Sequence, residues 1–245
     1  MSWMFPRRSG IRAPETREWI LGALYLPVFL FFLNFAILAY FPALGFPLTE
    51  PRNYFFANLL YMAVNFAVML LIFRRTLWQS LREFEGKMLL SVLIGFGMCY
   101  GANLVLTTAY TVLDIMPENY NQEAVNSLLG GYPLAMTLCT VVLAPLAEEC
   151  LFRGVLFAPL SRRCLPAAYA LSMFLFAGMH VFQFLGSMTA ANTILCLSLY
   201  LPASFSLCWV YQKTGNIWAG IFLHMFINFQ SVLASLLRSL MQAFL

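Results

Sequence analysis

Long apolar runs recur from one end of the chain to the other, separated by short polar joints. Each run is long enough to cross a hydrocarbon core about 30 Å thick. The pattern predicts seven spanning helices, at residues 19–43, 54–73, 88–113, 132–160, 166–185, 190–211 and 216–237. Proline and glycine mark many of the joints, among them Gly45, Pro47, Gly130, Gly131, Pro166, Gly186 and Gly215. The fourth run is long and contains Pro145, so a kink or break is expected just before the glutamates that follow it. In the connection ahead of that run, NQEAVNSLL has the pattern of a short amphipathic helix lying on the surface, a possible eighth segment. The strict period-two segments of a membrane barrel do not occur. The fold class is therefore all-α, a polytopic transmembrane helix bundle.

The polar joints are unequal in charge. Arg7, Arg8, Arg12 and Arg17 precede the first span. Arg74, Arg75, Arg82 and Lys87 fall between the second and third, Arg162 and Arg163 after the fourth, and Lys213 after the sixth. With seven spans these all lie on one side. The other side receives Arg52, Arg238 and the acidic loop with Asp114, Glu118 and Glu123. The excess of basic residues places the N-terminus in the cytoplasm. The first apolar run is too long for a signal peptide and lacks a small-residue cleavage site, so it reads as an uncleaved anchor. The chain reads as a basic cytoplasmic tail over residues 1–18 and a single transmembrane helical domain over residues 19–245.

Composition agrees with the pattern. The 245 residues are 62% hydrophobic and 10% charged, with mean hydropathy +0.79. A soluble domain carries about 25% charge. The net charge of +4 follows from topology and implies no nucleic-acid partner. None of the six cysteines forms a CxxC pair, so no zinc ribbon or disulfide framework is indicated. Asn34, Asn65 and Asn103 read as interhelical hydrogen-bonding residues.

Against this background, LAEECLFRG stands out. Glu148, Glu149 and Arg153 lie deep in the fourth span, and the only two histidines, His180 and His224, lie inside the fifth and seventh. Each such group costs at least ~2–3 kcal/mol to insert. At a rise of 1.5 Å per residue, Glu148 is about 21 Å of helix from Arg162, and His180 about 21 Å from Pro166. His224 and Asn228 are about 12 and 18 Å from Asn216. All four fall in one layer, between the cytoplasmic surface and the midplane. Glu149 and Arg153 are four apart and share a helix face, which suits a structural salt bridge. Glu148 is rotated away by about 100° and remains a separate carboxylate. His224 and Asn228 also share a face, and Phe176, one turn before His180, walls that side.

Such a set suits hydrolysis. A carboxylate held away from water is a stronger base toward a bound water, and a neutral imidazole can share it. An amide such as Asn228 can donate to an oxyanion. Glu148, His180 and His224 also offer the three-ligand set of a catalytic zinc site. HExxH is absent, no pair of membrane aspartates exists, and no serine has a nucleophile-elbow context.

Three motifs occur in order on successive apolar spans: EExxxR at Glu148 to Arg153, FxxxH at Phe176 to His180, and HxxxN at His224 to Asn228. The set resembles the CPBP family of CAAX proteases and bacteriocin-processing enzymes, also called Abi. It covers residues 132–237, the CPBP-like catalytic core. The first three spans carry no matching motif. The resemblance implies a membrane endopeptidase whose site opens toward the cytoplasm. It implies Glu148 and His180 as water activators, His224 and Asn228 as oxyanion donors, and Glu149, Arg153 and Phe176 as supporting residues. The reaction can be written without a cofactor, and zinc stays open. The implied partners are a membrane-associated peptide or protein substrate and the lipid bilayer. The small size fits a bacterial member in the inner membrane, where a prenylated CAAX substrate does not follow automatically. Two other readings stay open: a non-catalytic immunity or scaffolding protein, and a proton or metal transporter. The transporter reading is weakened by the lack of a polar half-path beyond the cluster.

Overall fold

The computed structural model describes residues 13–243. Seven helices are long and apolar enough to cross a membrane. In chain order the elements are α1 (Thr16–Ala43), α2 (Pro51–Ile72), α3 (Arg74–Arg82), α4 (Lys87–Leu113), α5 (Tyr120–Gly131), α6 (Pro133–Ser161), α7 (Leu165–Ser187), α8 (Ala190–Thr214) and α9 (Ile217–Ala243). Every expected span is present, displaced at its ends by a few residues. No strand occurs among the described residues. The outer faces are apolar, with Val112 78% and Leu134 88% exposed. Side chains so placed suit hydrocarbon and would be unfavourable against water.

The two short helices lie on opposite faces of the bundle. The amphipathic stretch before the fourth span forms α5. It is capped by Asn119, whose side chain accepts from Gln122 N at 3.1 Å. Helix α3 was not legible in the basic loop, where its arginines read only as charge. It buries Thr76, Leu77 and Ser80 and leaves Trp78 exposed under the Arg82 guanidinium, 4.7 Å from the ring centre.

The expected kink at Pro145 is not a break. Helix α6 runs continuously but changes pitch, with wide π-helical turns at Cys139–Leu143 and Cys150–Phe157. Pro145 and Pro159 sit just after these turns, at the start of the α-helical stretches that follow. A proline lacks the N–H that an α-helical ladder needs, and a widened turn is one way to absorb the gap. The second wide turn follows Glu149 directly.

The core surrounds that turn. Phe73, Leu151, Phe152, Phe157, Trp209 and Ile221 are buried in one apolar cluster. Helix α1 joins it closely at Gly22, where an added Cβ would lie 2.6 Å from Val155 Cγ2. Trp19 Nε1 donates to Val155 O at 3.0 Å.

Helix α1 begins at Thr16, so Glu18 lies in its first turn, where it is only 4% exposed. Its carboxylate accepts from Arg75 N at 3.0 Å and Thr76 N at 3.2 Å, and from the Thr76 hydroxyl. It thus satisfies the free N–H groups at the start of α3. The far part of α3 is tied to α9: Asn216 Nδ2 donates to Ser80 O at 2.6 Å, and Trp218 Nε1 to Leu77 O at 2.8 Å. Helix α3 therefore stitches α1 to α9 across the basic face. Arg7, Arg8 and Arg12 of the tail lie outside the described residues.

The asparagine reading holds in part. Asn65 of α2 accepts from Tyr25 Oη of α1 at 2.9 Å. The Asn103 side chain bonds within its own helix, Nδ2 to Cys99 Sγ at 3.8 Å, and no interhelical hydrogen bond from it occurs among the described residues. Asn34 lines a cavity instead.

Candidate active site

Glu149 is the centre of the polar cluster. It is fully buried, and its Oε1 accepts from Arg153 Nη1 at 3.0 Å and from His224 Nδ1 at 2.9 Å. Arg153, also fully buried, donates from Nη2 to Ser204 O at 3.3 Å, and its guanidinium lies 4.9 Å from the Phe176 ring centre. Hydrogen bonds from three helices engage Glu149 Oε1 and both Arg153 Nη atoms, while Glu149 Oε2 and Arg153 Nε are buried without a partner among the described residues. Helix α9 comes close enough because residue 220, one turn before His224, is glycine. A Cβ there would stand 3.1 Å from Glu149 Oε2.

Glu148 points elsewhere. Its side chain keeps 11% of its surface accessible and reaches a cavity of about 920 Å³. Its Oε2 is buried without a hydrogen-bond partner, and His224 Nε2 is 3.8 Å from it. His224 therefore stands between the two glutamates, bonded to one and near the other. It is 3% exposed and does not line the cavity.

His180 and Asn228 line the same cavity as Glu148. His180 Nδ1 lies 2.8 Å from Phe176 O. A carbonyl oxygen only accepts, so Nδ1 carries the proton and the lone pair is on Nε2. The Phe176 ring packs between the two histidines, 4.9 Å from His180 and 5.5 Å from His224. Asn228 Nδ2 donates one of its two amide hydrogens to Thr140 O, at 2.8 Å, in the first wide turn of α6.

The structure thus brings Glu148, His180 and Asn228 to one cavity and sets His224 behind Glu148. Among the described residues, no three His, Cys, Asp or Glu side chains are placed to hold a metal ion. The trio Glu148, His180 and His224 does not form a ligand set in this geometry.

The cavity lies on one side of the motif residues, toward α5, whose Asn121, Gln122 and Val125 roof it. That is the face opposite α3 and the basic turns. Glu148 is near the middle of α6. Two expectations are now in conflict. The basic residues place the α5 face outside the cytoplasm, whereas the resemblance implies a site open to the cytoplasm, and both cannot hold for this chain. The sequence reading found no polar residues beyond the cluster, yet Asn34, Asn58, Asn121 and Gln122 line the cavity there.

Sequence reasoning missed several residues here. Gly220 carried a usable signal, four positions before His224 on the same face. Tyr200, Ser204 and Thr140 carried none, because single hydroxyls are common in membrane helices.

Residues 130–230 match the family described as Type II CAAX prenyl endopeptidase Rce1-like. That segment holds all three motifs, and the match bears out the resemblance read from them. The chain is 27% identical over 186 residues to a Bacillus subtilis (strain 168) protein named "Putative membrane peptidase YdiL", covering 72% of each chain. It is 27% identical over 127 residues to "UPF0177 protein YxdF" of Lactococcus lactis subsp. lactis (strain IL1403), covering 51% of this chain and 65% of that one. No solved structure matches.

Proposed function

We propose that this chain, with an Rce1-like segment at its core, is a membrane-embedded endopeptidase that cuts a membrane-associated peptide or protein. The observation that carries the reading is the division of labour between adjacent glutamates. Glu149 Oε1 is held by Arg153 and His224 away from the cavity, while Glu148 lines the cavity and takes no hydrogen bond from the described residues.

On this reading a water sits between Glu148 and His180 Nε2. Glu148 takes its proton as the oxygen attacks the scissile carbonyl. The carbonyl π electrons move to oxygen, giving a tetrahedral oxyanion. Asn228, with an amide hydrogen to spare, donates to it. His224 Nε2, 3.8 Å from Glu148 Oε2, can donate to the oxyanion when the ring holds both protons. Collapse breaks the C–N bond, and Glu148 returns the proton to the leaving amine. One peptide bond and one water become a carboxylate and an amine.

The test compares membranes from cells producing wild type or Glu148→Gln, with new peptide termini read by mass spectrometry. Termini present only with wild type are expected. If the two sets coincide while both proteins accumulate equally, the peptidase reading fails. If Glu148→Gln also sustains the cellular role, the non-catalytic reading takes its place.

A further inference from the structure

His180 packs against two aromatic rings. Phe176, from its own helix, is tilted at 46°, and Tyr200, from α8, stacks at 23° with centroids 4.5 Å apart. His180 sits where the regular part of α7 ends, before the tighter turn Phe182–Ser187. Phe176 comes from the turn of α7 before His180, whereas the stacked contact comes from another helix, through Tyr200, which also lines the cavity.

The Tyr200 hydroxyl is engaged as well. It donates to Asn119 Oδ1 at 3.0 Å and accepts from Asn121 Nδ2 at 3.2 Å. Asn119 is the residue that caps α5, and Asn121 belongs to the part of α5 that roofs the cavity. One side chain thus touches the imidazole with its face and the roof helix with its tip.

We propose that Tyr200 is a positioning residue: its ring holds the His180 imidazole in the plane that presents Nε2 to the cavity, and its hydroxyl keeps α5 in register above. The proposal rests on the peptidase reading for its purpose, but its geometry can be tested without turnover. The chain has only two histidines, so histidine labelled with ¹⁵N reports two imidazoles.

The experiment uses the full chain in lipid nanodiscs as wild type, Tyr200→Phe and Tyr200→Leu. Wild type and Tyr200→Phe should show His180 as a single Nδ1–H tautomer, with its two nitrogen signals well separated. In Tyr200→Leu that separation should shrink as the ring samples other orientations. In Glu148-dependent cleavage, Tyr200→Leu should lose roughly ten-fold in kcat, with Tyr200→Phe restoring kcat and showing only a raised KM. An unchanged Tyr200→Leu spectrum overturns the proposal, as does Tyr200→Phe disturbing the ring as much as leucine. If the tautomer responds as described but cleavage proves independent of Glu148, the peptidase reading falls while the positioning role stands.

Discussion

Glu149 Oε1 lies 2.9 Å from Nδ1 of His224, joining residues 75 positions apart. The sequence spacing pairs Glu149 with Arg153 alone. The histidine ties that local salt bridge to α9, as Arg153 ties it to α8 through Ser204 O, and stands between the two glutamates of one motif.

The junction separates the roles of Glu148 and Glu149. Glu149→Gln leaves the Arg153 charge buried without its counter-ion, a change expected to cost about 3–5 kcal/mol. Thermal unfolding in detergent should show a large loss for Glu149→Gln and little change for Glu148→Gln, whereas cleavage should be lost in both. Equal stability losses in the two variants would contradict the assignment.

Gly220 makes the approach of α9 possible. Alanine is favoured over glycine in a helix by about 1 kcal/mol. Overpacking against a clamped carboxylate opposes this by about 1–3 kcal/mol. Gly220→Ala should therefore bring no stabilisation, and Gly220→Val should lower the unfolding midpoint clearly. A stabilised Gly220→Ala protein would mean that Glu149 moves aside freely.

Glu18 caps α3 from another helix. Glu18→Ala should cost about 1–2 kcal/mol, the range for losing a helix cap. Hydrogen exchange at the amides of Arg75 and Thr76 should quicken, while amides in α5 stay as they were. Unaltered exchange at those two amides would show that water replaces the carboxylate without loss.

The side on which the cavity lies is directly measurable. Cys164, in the turn on the basic face, is the one exposed cysteine among the described residues. If the basic residues are cytoplasmic, Cys164 should resist a membrane-impermeant maleimide in intact cells and react in everted vesicles. In a Cys164→Ser background, Glu123→Cys on α5 should behave in the opposite way. Labelling of Cys164 in intact cells would turn the α5 face and the cavity toward the cytoplasm, at the expense of the charge rule.

Much of the chain was legible because a bilayer imposes a one-dimensional constraint. Length and hydropathy of a run decide whether it spans, so seven helices follow without knowledge of their packing. Contacts within one helix were equally readable. The Glu149–Arg153 pair and the Phe176 wall of His180 are both four-residue spacings, and the proline-linked distortion of α6 is local chemistry.

Contacts between helices were not readable, and the reason is physical. Lipid and protein interior are similarly apolar, so hydrophobicity does not mark which face of a span meets a neighbour. Only the tertiary structure could bury Glu18 under α3, withdraw His224 behind Glu148, set Tyr200 against His180, and open the cavity toward α5. Sequence determined which polar groups enter the membrane; packing decided which of them touch and which remain open to the cavity.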